Sequence, residues 1–415
     1  MNILFLTDTC FSAATPNAIC TMNVAEELVK LGHAVFFIAY SSEQTPPHYN
    51  GFTFYYIKPS FARIMLNISK KKKSFSSLFG FIGITANRLR RLLLLPFYPI
   101  VSFSVPIKYR NKYSEVIRCN RIDTVVSVIA PDETLLAGHL IKKRFPEIKF
   151  VTYYLDCGTN INQGSSFVFL KKILQSKAIR MENRLLRSAD NIIVMKGHSN
   201  YYKKTLAPEN QGKIHIADVP LLAFHFPLNA SFLSSTNDSI EKWIYTGNME
   251  GRIYNPIPFC KLFEEYHKLN PNSELHLYGV CDNRRFFSEV LSKNDFIKWH
   301  NSVPHSSIYS IQHNASVLIL FKCFSMDSIS GKIFEYLPHL KPIILLSPAN
   351  DICSRQLSQY SLSLSLDISD SSINNAQKAF AFLSTINSIH KPSIDDIRRV
   401  FSLSLPLTTA KLLLS

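Results

Sequence analysis

The sequence lacks the features that mark secreted and metal-binding proteins. Its eight cysteines are scattered, with no CxxC pair and no metal-type spacing with histidine, which argues against a disulfide framework or a zinc site. The opening segment MNILFLTDTC has no basic leader and carries Asp8 early, so we expect a first strand there rather than a signal peptide. These observations favour a reducing, cytoplasmic environment.

Long hydrophobic runs are also missing. The longest uncharged apolar stretch, Leu92–Ile107, has 16 residues and contains three prolines, whereas a membrane-spanning helix needs about 20 apolar residues. The chain is nevertheless not composed like a disordered protein, because 46% of its residues are hydrophobic and only 18% are charged. Its 415 residues therefore predict a folded protein of two or three domains.

Positive charge is concentrated in the first half of the chain. Met1 to His215 contains 29 basic and 13 acidic residues, whereas the remainder contains 17 of each. Within the first half, 58–121 has 14 basic residues and one acidic residue, interspersed with large apolar side chains. A solvated basic face commonly explains a charge run, but this mixture is typical of a segment that lies on an anionic membrane surface.

Nucleic acid would attract the same charge. However, no helix-turn-helix, zinc-finger or aromatic RNA-binding motif accompanies the basic residues. We therefore expect an anionic membrane surface as a partner and no nucleic acid.

The order of apolar and helix-like segments indicates a parallel α/β protein. Short apolar runs alternate with longer segments of helical period, and this pattern restarts at Lys242 after a polar break at Ala217–Asp238. We predict two Rossmann-like doubly wound domains facing each other across a cleft, because ligands bind beyond the carboxyl ends of such strands. The predicted parts are a first domain at 1–218 with the basic apolar insertion 58–121, a second domain at 219–392, and a C-terminal helix at 393–415 that packs back on the first domain.

The strongest local pattern is FKCFSMDSISGKIFEYLPHLKPIILL. An apolar strand is followed by a polar loop with Ser330 and Gly331, and a helix is expected to begin near Lys332. Backbone N–H groups at a helix start form a natural phosphate site, and Lys332 adds a positive charge. Glu335, one turn later, can accept hydrogen bonds from a ribose diol. Asp327, separated from Glu335 by seven residues, places a second carboxylate on the loop.

This arrangement resembles the GT-B nucleotide-sugar glycosyltransferases of the family 4 (group 1) type. In that family an acidic residue, seven residues and a helical glutamate precede a strand that is reached through a turn like Lys341-Pro342. The resemblance implies that Glu335 binds the donor ribose and that Ser330–Lys332 bind the diphosphate. It also implies that Asp327 acts as a catalytic residue near the transferred sugar.

A second segment, WIYTGNMEGRIYNPIPFCKLFEEYHKLNPNSELHLYGV, resembles the opening of the same family's donor domain. The resemblance implies that Gly247 lets the backbone approach the phosphates and that Arg252 clamps them. Val303 falls where the family's base-binding loop lies, so its backbone is expected to contact the nucleobase. Three departures stand against the family pattern. FSAATPNA replaces the usual Gly-Gly pair after the first strand, and Asp327 replaces a more common glutamate. Pro338-His339-Leu340 replaces the usual small-residue turn after the helix.

In the first domain the candidate catalytic residue is Asp156, which ends the apolar run VTYYLDC. It is placed to bind an acceptor or to act as a general base, although a turn or helix-cap role before Gly158 explains it equally well. Family members typically retain the anomeric configuration and need no metal, because positive side chains stabilise the leaving diphosphate. An inverting enzyme would need a protein base, and Asp156 would be the first choice.

These features together predict a glycosyltransferase for cell-surface polysaccharide biosynthesis. It would move a sugar from a nucleotide-diphosphate-sugar donor to a glycan or lipid-linked acceptor, without a cofactor or metal, on the inner face of the cell membrane. Two alternatives stay open. One is a nucleotide-sugar epimerase on the same fold, and the other is a non-catalytic membrane- or nucleic-acid-binding protein on a degenerate GT-B scaffold.

Overall fold

The chain folds into two compact units. The structure is a computed structural model that describes residues 1–7, 15–40, 48–49, 51–59, 64–65, 76–94, 97–98, 102–129, 132–156, 168–222, 240–249, 253–283, 285–324 and 329–415. The first unit comprises Met1–Pro220 together with Pro406–Ser415, and the second comprises Leu221–Leu405. Each unit is a sheet with helices packed against it.

The first unit contains an eight-stranded sheet with seven parallel strands and a short antiparallel edge strand. Its strands are β1 (Asn2–Leu6), β2 (Ala34–Tyr40), β3 (His48–Tyr49), β4 (Phe52–Ile57), β5 (Thr124–Ile129), β6 (Lys149–Tyr154), β7 (Asn191–Met195) and β8 (Ile214–Ala217). They are arranged in the order β3-β4-β2-β1-β5-β6-β7-β8. Every residue of β5 is buried, as expected where helices cover both faces of a parallel sheet.

The helices of the first unit are α1 (Pro16–Lys30), α2 (Ser76–Leu93), α3 (Ser104–Cys119), α4 (Asp132–Arg144), α5 (Val168–Leu186), α6 (Ser199–Thr205), α7 (Pro208–Gln211) and the C-terminal α14 (Pro406–Leu414). α1 begins where Thr15 caps it by accepting a hydrogen bond from the Ala18 N–H, and Pro16 occupies the first helical position. None of the helices in the described ranges is both long and apolar enough to cross a bilayer.

The second unit contains a six-stranded, fully parallel sheet. Its strands are β9 (Glu241–Thr246), β10 (Ser273–Tyr278), β11 (Ile297–His300), β12 (Val317–Phe321), β13 (Ile343–Ser347) and β14 (Ser363–Asp367), in the order β11-β10-β9-β12-β13-β14. Its helices are α8 (Ile257–Leu269), α9 (His305–His313), α10 (Lys332–Tyr336), α11 (Ile352–Leu357), α12 (Ser372–Ser384) and α13 (Ile394–Val400). Trp243 anchors the core, with ring centroids 5.2 Å from Phe263 and 4.5 Å from Tyr266.

Both sheets are doubly wound, as the sequence predicts. Strand order reverses between β1 and β5 in the first sheet and between β9 and β12 in the second. Two successive Rossmann-like halves are therefore confirmed.

The C-terminal segment differs from the single helix predicted over 393–415. It forms two helices, α13 and α14, which belong to different units. Pro406 explains the division, because proline interrupts a helix interior yet is favoured at a helix start. α14 packs against α1, β7 and β8 and buries Ala410 and Leu413.

Candidate functional site

The topology of the second sheet brings the two strongest sequence motifs together. Ligands of doubly wound sheets bind beyond the carboxyl ends of the strands where the order reverses, here β9 and β12. The loop after β9 begins at Gly247, and the loop after β12 leads to Ser330–Lys332. Both predicted phosphate-binding segments therefore lie at the switch point of one sheet.

Lys332 and Gly247 are in direct contact. A Cβ atom added to Gly247 would lie 2.6 Å from the Lys332 Nζ. The ammonium group therefore occupies the space that a side chain at position 247 would fill. The same Nζ lies 5.8 Å from the ring centroid of Tyr245 and 4.0 Å from Oε2 of Glu335. The side chains of Lys332 and Glu335 are 26% and 27% exposed, so this cation and carboxylate can both be reached from solvent.

The backbone of Gly279 packs directly against that of Gly247 and holds it in place. A Cβ atom on Gly279, at the end of β10, would lie 2.6 Å from the carbonyl carbon of Gly247 and closer still to its oxygen. Gly279 also has a φ of +141°, a conformation that essentially only glycine adopts. The Gly247 N–H donates to the Tyr278 carbonyl at 2.8 Å. The end of β9 is therefore fixed where Lys332 reaches it.

The Ser330–Lys332 turn is only partly open to an anion. The Ser330 N–H already donates to the Sγ of Cys353 at 3.3 Å. By contrast, the N–H groups of Gly331 and Lys332 have no acceptor within the described ranges. α10 has five residues, so its dipole is weaker than that of a long helix. The charge of Lys332 is therefore the main positive feature of this turn.

A buried hydrogen-bond network joins α10 to the end of β9. The Tyr336 hydroxyl accepts from the Thr246 N–H at 3.1 Å, and Gln312 Nε2 donates to Thr246 Oγ1 at 2.8 Å. His339 Nε2 lies 3.0 Å from Gln312 Oε1. Because burial lowers the pKa of His339 to about 3, its ring is neutral and donates to Gln312 through Nε2. This network keeps Lys332 and Glu335 beside Gly247.

A second lysine after β12 is neutralised inside the protein. Lys322 Nζ lies 3.1 Å from Oδ2 of Asp351, and both side chains are buried. Asp351 also caps α11 by accepting from the Cys353 N–H at 2.8 Å, so the ion pair positions the thiol that holds Ser330. A cavity of about 20 Å³ beside these residues has room for one water. The charge of Lys332 is thus more accessible to a ligand than that of Lys322.

The carboxyl ends of β10 and β11 present a flat pair of rings. Tyr278 and His300 are stacked with centroids 4.2 Å apart and an interplanar angle of 9°. Val303 follows in the loop 301–304, before α9. Sequence reasoning did not assign these rings a role. They supply an aromatic surface at the edge of the sheet that carries Gly247 and Lys332.

Of the remaining predicted site residues, the structure describes Asp156 but not Arg252 or Asp327. Asp156 follows β6 in the first unit, is exposed, and accepts a hydrogen bond from Asn17 Nδ2 at 3.0 Å in the first turn of α1. Arg252 and Asp327 lie outside the described residues. The carbonyl of Ile253, next to Arg252, accepts from the Cys323 N–H at 2.8 Å, which ties the loop after β9 to the loop after β12.

Solved structures identify the fold. No family model and no curated protein matches the sequence. A glycosyltransferase from Rickettsia africae is similar over 100% of this chain and 98% of its own, with 12% identity and a TM-score of 0.63. WaaG, a glycosyltransferase involved in lipopolysaccharide biosynthesis, is similar over 99% of both chains, with 13% identity and a TM-score of 0.57.

A putative UDP-N-acetylglucosamine 2-epimerase from Listeria monocytogenes is also similar. It covers 99% of this chain and 94% of its own, with 13% identity and a TM-score of 0.50. At such low identity these likenesses establish the fold alone. The chain has the GT-B fold that its sequence motifs predict.

Proposed function

We propose that this chain is a glycosyltransferase with a nucleotide-diphosphate-sugar donor. The main support for this proposal is the contact between the Lys332 ammonium and the backbone of Gly247. This contact lies beside Glu335, at the switch point of a parallel sheet. A cation and an unobstructed backbone suit a diphosphate, and a neighbouring carboxylate suits a ribose diol. In this proposal the second unit binds the donor and the first unit binds the acceptor.

The described residues support a specific placement of the donor. Lys332 and the N–H groups of Gly331 and Lys332 contact the diphosphate, and Glu335 accepts hydrogen bonds from the ribose. The nucleobase lies near the Tyr278–His300 ring pair and the backbone of Val303. Arg252 and Asp327 complete the proposal from the sequence, as a second phosphate clamp and as the residue beside the sugar.

The proposed reaction breaks the bond between the anomeric carbon and the donor phosphate oxygen. An acceptor hydroxyl forms the new bond to that carbon, and negative charge develops on the leaving nucleoside diphosphate. Lys332 and Arg252 stabilise this charge electrostatically, which is why we expect transfer without a metal. We favour retention, with the acceptor proton passing to a donor phosphate oxygen. If the reaction inverts instead, Asp156 is the candidate base.

Helix α2 supports a membrane-bound setting for the acceptor. Phe81, Leu89 and Leu93 are 68%, 56% and 68% exposed, and Arg88 is exposed on the same face, whereas Gly83 on the other face is buried. A surface helix normally turns its apolar face inward. An outward apolar face with basic residues suits an anionic membrane interface. We therefore propose a glycan or lipid-linked acceptor in cell-surface polysaccharide assembly, on the inner membrane face.

A thermal-shift screen tests the donor site. The purified chain is heated with UDP, GDP, CMP and their common sugars, beside the variants Glu335→Ala and Lys332→Ala. We expect one nucleotide to stabilise the wild type and both variants to lose that shift. The control Glu289→Ala, an exposed carboxylate of the same unit, keeps it. A folded wild type that responds to no nucleotide contradicts the proposal and favours the non-catalytic alternative.

The epimerase alternative is separated by incubating the donor alone. NMR of the sugar shows a new isomer without acceptor if the chain is an epimerase. A transferase changes the sugar's linkage only when an acceptor is supplied, and it does so in the presence of EDTA if no metal is needed.

Vesicle co-sedimentation tests the membrane surface. Vesicles of phosphatidylcholine with about 30% phosphatidylglycerol are expected to bind the wild type, because buried apolar area and charge both contribute. Phe81→Ser/Leu89→Ser should lower the bound fraction several-fold. The control Ile373→Ser/Val400→Ser removes exposed apolar side chains of the second unit and should not. Equal losses in both variants count against α2 as the membrane contact.

A further inference from the structure

A strongly basic surface with two adjoining cavities lies on the first unit. One cavity of about 530 Å³ is lined by Lys142, Lys143, Arg187 and Lys213, and Asp190 is the one acidic residue among its described lining. The other, of about 510 Å³, is lined by Arg180, Arg184 and Arg187, with no acidic residue from the part of the chain that the structure describes. Arg187 lines both. We call them the Lys143 cavity and the Arg184 cavity.

These cavities and Asp156 lie at opposite ends of the strands of the sheet. Asp190 and Lys213 directly precede β7 and β8, and Pro146 lies shortly before β6, so the Lys143 cavity is at the amino ends of these strands. Asp156 follows the carboxyl end of β6. A strand of six residues spans about 20 Å, so roughly the length of a strand separates the Lys143 cavity from Asp156. The basic surface is therefore distinct from the proposed acceptor site.

The positive charge on this surface is only partly balanced. Arg187 pairs with Glu209 at 3.0 Å, and Lys142 pairs with Asp190 at 3.0 Å. Lys143 and Arg184 are exposed and have no carboxylate partner in the described part of the chain.

Sequence spacing adds to this imbalance. Arg184 and Arg187 follow Arg180 at helical positions four and seven residues later, on one face of α5 or directly at its end. Like charges one turn apart, such as Arg180 and Arg184, destabilise a helix. A bound anion would remove that cost.

His139 lies where the positive charges of both cavities act together. It lines the Lys143 cavity, and its Nδ1 lies 2.9 Å from Ser188 Oγ. Burial lowers the pKa of His139, and the charges of Lys143 and Arg184, from two different helices, lower it further. Positive potential from α4 and α5 therefore converges at this ring.

We propose that the Lys143 and Arg184 cavities form one binding site for a ligand with two or more phosphate groups. Arginine binds phosphate with a planar fork of donors, and lysine binds it as a mobile point charge. Two cavities on either side of Arg187 match two linked anionic groups rather than one. The phosphates belong either to a soluble oligophosphate or to anionic lipid headgroups.

Calorimetric titration with inorganic pyrophosphate and tripolyphosphate tests this site. The titrations use the full chain carrying Lys332→Ala, so that the proposed donor site does not contribute. We expect saturable binding that weakens at least tenfold in Lys143→Gln/Arg184→Gln. The control Lys261→Gln/Lys293→Gln removes two exposed cations of the second unit and should change the affinity less than twofold. This result is independent of any nucleotide response, so the two proposals can fail separately.

His139 gives a local readout of the same titration. A bound anion offsets the nearby cations, so the pKa of His139 should rise when pyrophosphate is added. The His139→Asn variant assigns the NMR signal, and the rise should disappear in Lys143→Gln/Arg184→Gln.

Vesicles distinguish the two phosphate sources. Binding of the soluble oligophosphates assigns a soluble ligand. Binding only to phosphatidylglycerol vesicles, with loss in Lys143→Gln/Arg184→Gln but not in the control, assigns lipid headgroups. The proposal is overturned if the oligophosphates do not bind and vesicle binding is unchanged in Lys143→Gln/Arg184→Gln, or if the control variant loses as much affinity as the test variant.

Discussion

At the scale of single residues, two glycines that lie close together differ in what an added side chain would meet. A Cβ atom on Gly247 would meet the tip of the Lys332 side chain, which can move away. A Cβ atom on Gly279 would meet the carbonyl group of Gly247, which cannot move without distorting the end of β9. Both glycines have a positive φ, so substitution should lower stability at both positions, and at Gly247 it should also change ligand binding.

We predict that Gly247→Ala lowers donor affinity about tenfold, which is about 1.4 kcal/mol, because it displaces the Lys332 ammonium. Its free energy of unfolding should also fall, because a side chain at a φ of +158° is strained. Gly279→Ala should lose about 1–3 kcal/mol of stability, because alanine at a φ of +141° is strained. Tryptophan fluorescence measures this selectively, since both tryptophans, Trp243 and Trp299, lie in the second unit. Unchanged nucleotide affinity in Gly247→Ala would contradict the proposed site.

Local sequence context explains which site residues could be predicted. Gly247, Lys332 and Glu335 each follow an apolar strand in a loop or helix start, so a single window of sequence identifies them. Two other contacts join different loops: the hydrogen bond between Cys353 and Ser330 and the buried ion pair between Lys322 and Asp351. No local sequence pattern predicts such contacts. The donor-binding roles of Gly247, Lys332 and Glu335 stay predictions, as do the roles of Arg252, Asp327, Asp156 and Val303.

At the scale of elements, the short α10 depends on a side-chain hydrogen bond that attaches it to β9, which we call the tether. A helix of five residues is unstable alone, and the Tyr336 hydroxyl provides the acceptor for the Thr246 N–H.

Tyr336→Phe should therefore cost about 1–3 kcal/mol, because it leaves a buried N–H without a partner. Urea unfolding followed by tryptophan fluorescence gives the difference. Tyr278→Phe is the matched control, since the Tyr278 hydroxyl has no hydrogen-bond partner among the described residues. The control should stay within about 0.5 kcal/mol of the wild type. Similar costs for both substitutions would argue against the tether.

The strands that sequence reasoning found and missed differ in burial. Continuous apolar runs such as β5 and β12 are buried throughout, and they stand out in the sequence. The edge strand β14 alternates serine and leucine and has one fully buried residue, so it lacks the continuous apolar run that indicates a buried strand. β8 is short, with only Ala217 fully buried. Edge strands face fewer neighbours, and so their sequences carry a weaker signal.

The C-terminal helix α14 yields a prediction about the first unit. Ending the chain after Leu405 removes the helix that packs against α1, β7 and β8. The first unit should then lose its calorimetric unfolding transition or show it at a much lower temperature. The fluorescence transition of the second unit should persist, because α14 is not part of that unit. Equal loss of both transitions would show that the units do not unfold separately.

At the scale of the whole molecule, buried titratable groups should make the two units respond oppositely to pH. In the first unit, burial raises the pKa of Glu182 from 4.5 to about 7 and that of Asp218 from 3.8 to about 6. Their stabilisation is complete below the unfolded values and is lost as the pH rises through the folded values. In the second unit, the lowered pKa of His339 stabilises above pH 6.5, and this contribution is lost as the pH falls.

Between pH 5 and 7 we therefore expect the first unit to become less stable and the second unit more stable. The Glu182 shift alone corresponds to on the order of 3 kcal/mol. Scanning calorimetry with tryptophan fluorescence separates the two transitions. Glu182→Gln should flatten the pH dependence of the first transition only, and His339→Gln that of the second only. Parallel movement of both transitions in the wild type contradicts the assignment.

The position of α14 has a consequence for how the chain is made. Synthesis proceeds from the amino terminus, so β1 to β8 leave the ribosome long before the segment 406–414. The whole second unit is translated in between. Until α14 emerges, the α1 face that it covers stays exposed to chaperones, proteases and other nascent chains. The second unit can complete its fold first, and the amino-terminal unit is then the last to mature.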